Sequence, residues 1–289
     1  SELQNRRHKR ALQIIKRWRL MDDDFMKRCL KDNIPAVECI LRIIMEQPDL
    51  TVLSVHIEDT IPNLLGRGIR MDVHAIDSTG TEYDIEVQRS DKGAGARRAR
   101  FNSSLLDLNS LKKGNTYDQL PESYVIFITE NDIFKEGLAR YHINRIIEEL
   151  NRPFDDGEHI IYVNGDYHGQ DDIGKLMNDF RSSKVDDIIL EPLKETVNRY
   201  KNNPREVAAM CADLEKWSME ERAEGIAEGI EKGIEKGVKK GRVEGRAEGA
   251  ELFAKLLKLL QADGRTDDIE LALEDKEARE RLYKEYHLE

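Results

Sequence analysis

Arg70-Met71-Asp72-Val73-His74-Ala75-Ile76-Asp77 and Thr81-Glu82-Tyr83-Asp84-Ile85-Glu86-Val87-Gln88 are separated only by Ser78-Thr79-Gly80. Both segments alternate apolar and polar residues with a period of two, the pattern of a strand, and the glycine-containing break between them is a turn. Side chains alternate along a strand, so Met71, Val73 and Ala75 are expected to share one face with Tyr83, Ile85 and Val87. The other face carries Asp72 and His74 against Asp84, Glu86 and Gln88. With the turn centred on Thr79, Asp72 faces Glu86 and His74 faces Asp84. Opposed residues on antiparallel strands have Cβ atoms about 4.5–5.5 Å apart, close enough for two carboxylates to share one ion.

Two such carboxylates repel each other unless a cation lies between them. Hard oxygen ligands favour Mg²⁺, or Mn²⁺ in its place, and leave coordination positions for water and phosphate oxygens. An ion held this way polarises a phosphodiester, activates water and steadies the leaving oxygen. The amide of Gln88 is then placed to orient the attacking water or to touch a phosphate oxygen. The plainer alternative is that Asp72, Asp84 and Glu86 merely solvate one face of an exposed hairpin. A register slip of one residue would also separate the pair.

Around the hairpin, residues 25–46 hold apolar side chains at helical intervals, with Pro35 marking a fresh start after Asn33, so two short helices are expected. Residues 52–57 form a further strand. Residues 97–111 return to helical spacing, and 124–129 are a continuous apolar run suited to a buried strand. Another apolar strand at 160–163 precedes the turn Asn164-Gly165, and helical patterns follow at 173–180 and 192–200. Helix, three strands, helix, strand is the order of an α/β domain.

The run Gly66-Arg67-Gly68-Ile69-Arg70-Met71-Asp72-Val73, followed by Tyr83-Asp84-Ile85-Glu86-Val87-Gln88, resembles the Rpn family of recombination-promoting nucleases and putative transposases, of the PD-(D/E)XK superfamily. The likeness continues through Arg97-Arg98-Ala99-Arg100-Phe101, Gly114-Asn115-Thr116-Tyr117 and Tyr124-Val125-Ile126-Phe127-Ile128-Thr129, and covers roughly residues 20–210. It implies a restriction-endonuclease-like core, a mixed central sheet flanked by helices, and Mg²⁺-dependent DNA cleavage. By the same resemblance Asp72 and Glu86 are the catalytic acids, and Gln88 stands where lysine is usual. The backbone carbonyl of Val87 is a further metal ligand, and Glu38 matches a helical acid. A glutamate among Val37, Ile40 and Leu41 is equally the polar edge of an amphipathic helix. Arg97, Arg98 and Arg100 open the helix after the hairpin, where guanidinium forks suit DNA phosphates. Basic residues at that end oppose the helix dipole, so a compensating partner is expected.

Three regions follow: a basic arm at 1–20, a nuclease domain at 21–210 and a helical tail at 211–289. The arm holds seven Lys and Arg residues against Glu2, whereas the whole chain carries a net charge of -11. It would either contact DNA, through Trp18 or its arginines, or form a solvated helix face or a disordered start. In the tail Gly225, Gly229, Gly233, Gly237, Gly241, Gly245 and Gly249 recur at a strict four-residue step. Each glycine costs a helix about 1 kcal/mol against alanine. Such a stripe, flanked by Ile226, Ile230, Ile234 and Val238, either permits close helix approach and a homo-oligomer or belongs to a charged linker. The longest apolar stretches fall well short of the roughly 20 residues of a membrane span. Three scattered cysteines, Cys29, Cys39 and Cys211, form no disulfide framework, and a cytoplasmic location is expected. A DNA endonuclease is therefore the first reading. Its rival is a nuclease-derived DNA-binding or assembly module without catalysis, and a ribonuclease is a third possibility.

Overall fold

The computed structural model describes residues 2–61, 69–89 and 91–288. The run Gly66-Arg67-Gly68 lies outside the described residues, as do the side chains of Ile226 and Ile230. Two compact units divide the chain, Ser1–Glu215 and Lys216–Glu289. The first holds α1 (Glu2–Arg17), α2 (Asp23–Leu30), α3 (Ile34–Met45), β1 (Val52–Ile61), β2 (Ile69–Asp77), β3 (Glu82–Gln88), α4 (Ala96–Ser110), β4 (Ser123–Thr129), β5 (Arg140–Ile143), β6 (Ile146–Ile147), β7 (Arg152–Pro153), β8 (Glu158–Asn164), α5 (Asp172–Arg181) and α6 (Glu191–Asn202). Helix α7 (Pro204–Ala262) carries the glycine repeat, and α8 (Thr266–Glu274) and α9 (Lys276–Glu285) complete the chain.

The six-stranded sheet has the order β1-β2-β3-β4-β8-β5. The pairs β1–β2, β2–β3 and β5–β8 are antiparallel, whereas β3–β4 and β4–β8 are parallel. Residues from α1, α2, α3, α5 and α6 close one face over Val73, Ala75, Tyr83, Ile85, Ile126 and Ile128. The other face receives α4, through Ala99 beside Val125 and Phe127 and through Leu105 and Leu106 beside Met71. Strand β4 is thus covered on both sides, which explains its uninterrupted apolar sequence.

The basic arm folds as α1 and belongs to the first unit, with Ala11 and Ile15 in the main core. Trp18 is half-buried against Phe25 at a ring separation of 5.7 Å. Part of its ring therefore packs inside the first unit. Helix α3 starts at Asn33, whose side chain accepts from the Ala36 amide at 3.2 Å. In the second unit Leu256, Leu260, Ala272, Leu282 and Leu288 form a separate small core. No helix among the described residues is long and apolar enough to cross a membrane. All three cysteines are free, Cys29 and Cys211 buried and Cys39 half-buried.

Candidate functional site

The β2–β3 hairpin has the register expected from its sequence: Val73 pairs with Ile85, His74 with Asp84, Ala75 with Tyr83 and Ile76 with Glu82. Asp77 fastens the turn. Its carboxylate accepts from the Thr79 amide at 2.8 Å, the Thr81 amide at 3.0 Å and the Thr79 and Tyr83 hydroxyls at 2.6 and 2.8 Å. Gly80 supplies the positive φ, 88°, that the reversal needs.

Asp72 and Glu86 occupy the opposed positions one step beyond the Val73–Ile85 pair. Alternation breaks there. Met71 leaves the face of Val73 and Ala75 and packs under α4, while Asp72 turns towards α2, where Lys27 Nζ is 2.9 Å from Asp72 Oδ1. On β1, Glu58 stands in register opposite Asp72 with a left-handed backbone, φ 55°. The strand therefore twists out of regular pairing at Asp72.

The polar face does not solvate an exposed hairpin. Helix α4 covers it, leaving Asp84 and Glu86 with 0% exposure. Asn102 donates to Asp84 at 3.1 Å, and Arg98 donates to Glu86. The compensating partner foreseen for the arginines at the start of α4 is, for Arg98, a carboxylate of the same chain together with the Gly93 carbonyl at 3.0 Å. Arg97 and Arg100 are exposed. Gln88 turns inward, its amide donating to Glu86 at 3.3 Å. A Cβ on Gly93 would lie 2.0 Å from Gln88 Oε1, so the glycine makes room for that conformation.

Burial raises the pKa of all three acids. For Asp72 the pull of Lys27 opposes burial. Glu86 is pushed up to about 7 by burial and then by the charge of Asp72, against Arg98. Burial and the neighbouring Glu86 hold Asp84 well above the usual carboxylate range. Glu86 Oε1 and Asp84 Oδ1 are buried without a hydrogen-bond partner. Such orphaned acceptors are costly unless something charged or hydrogen-bonding completes them.

Glu38 stands elsewhere. It accepts from the Val52 amide at 2.9 Å and pairs with Arg42 at 2.7 Å. Val52 lies opposite Asp77, five residues along β2 from Asp72, a separation of roughly 16 Å at strand rise. The helical acid nearest the pair is instead Asp23 of α2, 2.8 Å from Lys27 Nζ. His74 contacts Glu82 at 3.1 Å, towards the turn.

A cleft of about 440 Å³ opens beside the pair, lined by Met21, Asp23, Lys27, Arg70, Asp72, Val87, Gln88, Arg89 and Arg98. Four of these are cations. A second cleft of about 510 Å³, at the hairpin turn between Asp77, Tyr83 and Tyr124, has no Lys or Arg in its lining and suits phosphate poorly. Among the described residues no group of three or more His, Cys, Asp or Glu is disposed to hold a metal. Asp72 and Val87 line this cleft, whereas Glu86 is fully buried and keeps one carboxylate oxygen without a partner.

A mixed sheet with helices on both faces, carrying paired acids at one end of its antiparallel hairpin, is consistent with a restriction-endonuclease-like α/β fold. Residues 43–166 match the model of a family described as PD-(D/E)XK nuclease family transposase. It includes Asp72, Glu86, Gln88 and the arginines of α4, but neither Asp23 nor Lys27. No curated protein and no solved structure matched the chain.

Proposed function

We propose that the first unit is a metal-dependent DNA endonuclease that hydrolyses phosphodiester bonds during recombination or mobile-element processing. The observation that carries this reading is the unpartnered, buried Glu86 oxygen beside Asp72, at a cleft walled by Lys27, Arg70, Arg89 and Arg98. Asp72, Glu86 and the Val87 carbonyl would hold Mg²⁺ or Mn²⁺, which when bound supplies Lewis-acid polarisation of the phosphodiester. Arg98 and Gln88 hold Glu86 in place, and Arg97 and Arg100 offer guanidinium groups to the DNA backbone.

Nicking of supercoiled plasmid in Mg²⁺ tests the proposal. The parent chain is expected to nick, while Asp72→Ala and Glu86→Ala abolish nicking. Cleavage that survives both changes refutes the site. The alternative, a DNA-binding module without turnover, is favoured by one observation, the amide of Gln88 standing bonded to Glu86 where a lysine charge is usual. Mg²⁺-dependent DNA binding without nicking would establish it.

For the tail, the stripe from Gly229 to Gly249 supports self-association. A Cβ at any of these glycines would meet nothing within 4 Å, and Ile234 and Val238 beside them are exposed. Sedimentation of the full chain against one ending at Met219 decides the point, since equal monomeric masses exclude it.

A further inference from the structure

Lysine is almost never buried unless paired. Lys27 is 7% exposed, yet it lines the cleft beside Asp72. We propose that Lys27 of α2 is the phosphate-contacting cation of this site and performs the task that an amide at Gln88 cannot. The inference rests on the nuclease reading above and names a residue outside the segment that matches the family.

The donor count supports it. An ammonium has three N–H donors. Two are committed, to Asp23 at 2.8 Å and Asp72 at 2.9 Å. The third reaches Glu58 only at 3.5 Å, and Glu58 also pairs with Arg70 at 3.3 Å. That third donor is the one a phosphate oxygen in the cleft can take with the least loss. Gln88 is in the opposite state, turned in to Glu86 over Gly93 and bringing no charge.

Charge sets the condition for this contact. Asp23, Glu58 and Asp72 surround one ammonium, so negative charge remains in excess at this wall and opposes a phosphate until a cation offsets it. A divalent cation on Asp72 would reduce that excess without displacing Lys27. Two strong ion pairs fix the position of the ammonium, so contact with substrate requires little reorganisation, the condition under which a charged donor is most effective.

The test uses the full chain and the variants Lys27→Gln and Lys27→Met. Affinity for a short duplex is measured by fluorescence anisotropy over a salt series, with Ca²⁺ in place of Mg²⁺. The slope of log affinity against log salt is expected to fall by about 0.9, the value of one phosphate contact on duplex DNA. Nicking in Mg²⁺ is expected to slow about 100-fold, the loss typical of one preorganised donor. Introducing Gln88→Lys into the Lys27→Gln chain is expected to recover at least tenfold of the rate. An unchanged salt slope, nicking within threefold of the parent, or no recovery with lysine at 88 overturns the inference. Failure of both variants to fold does so as well, because the ammonium would then be structural. A parent chain that neither binds nor nicks DNA defeats the nuclease reading itself, a result distinct from an active parent matched by an active Lys27→Gln.

Discussion

Replacing Glu86 with glutamine should make the metal-free protein more stable at pH 8 and leave it unchanged at pH 4.5. The Glu86 carboxyl is fully buried, and burial with the charge of Asp72 raises its pKa from 4.5 to about 7 despite Arg98. Between those values the folded chain keeps a proton that the unfolded chain has released. Stability attributable to this group therefore falls as pH rises through the window and is level above it. At 1.36 kcal/mol per pKa unit the window is worth about 3 kcal/mol. Glutamine carries no charge to bury, so Glu86→Gln gains up to about 3 kcal/mol at pH 8 and about nothing at pH 4.5. Urea denaturation in EDTA, followed by near-ultraviolet circular dichroism from the sheet tyrosines, measures both. Mg²⁺ should then stabilise the parent with the logarithm of its concentration and leave the variant nearly unmoved. Equal stabilities at pH 8, or the same gain at both pH values, would refute the reasoning.

Asp77→Ala strips four donors of one acceptor at the hairpin turn and should lower stability by about 2–4 kcal/mol in urea titration, since each lost bond costs about 1 kcal/mol. Gly93→Ala puts a methyl group 2.0 Å from Gln88 Oε1. It should shift Gln88 off Glu86 and slow nicking about ten- to a hundred-fold, while the unfolding midpoint stays nearly fixed. Lys201 donates to the carbonyls of Lys16 and Trp18, at 3.2 and 2.5 Å, and to that of Ser183. Lys201→Met leaves all three without this donor and should cost about 3 kcal/mol, again read by urea titration.

The hairpin was legible because two independent signals, period-two alternation and a glycine turn, agree on one register. Asp72, Glu86 and Gln88 followed from it. Lys27 and Asp23 were not legible, because they sit on a helix far upstream and only packing of α2 on the sheet carries them to Asp72. The sole local sign was their four-residue spacing, which on any helix reads as a surface ion pair. Glu38 drew attention by its place on an apolar helix, yet its carboxylate serves the first residue of β1. Strands β5, β6 and β7 were missed. They have four, two and two residues and lie largely exposed, so hydrophobic periodicity has too little length to register. Met71 misled by obeying the alternation in sequence, whereas Glu58 and Asp72 break it in space.

A net charge of -11 argues against a protein coated in nucleic-acid-binding surface, but a single cleft does not respond to the sum. Exposed charges farther apart than about 8–10 Å are largely screened at physiological salt. A phosphate at the cleft is governed by the groups that line it, four of them Lys or Arg against the two acids Asp23 and Asp72. The two most closely engaged come from opposite layers, Lys27 on α2 to Asp72 and Arg98 on α4 to Glu86. The acids lie on the sheet and their counter-charges on helices that cover its two faces. The site therefore exists only when both layers are packed. Loosening either helix would leave a buried carboxylate without its partner, at a cost of roughly 3–5 kcal/mol. That coupling ties the charge balance of the cleft to the integrity of the fold, while the rest of the acidic surface is free to vary.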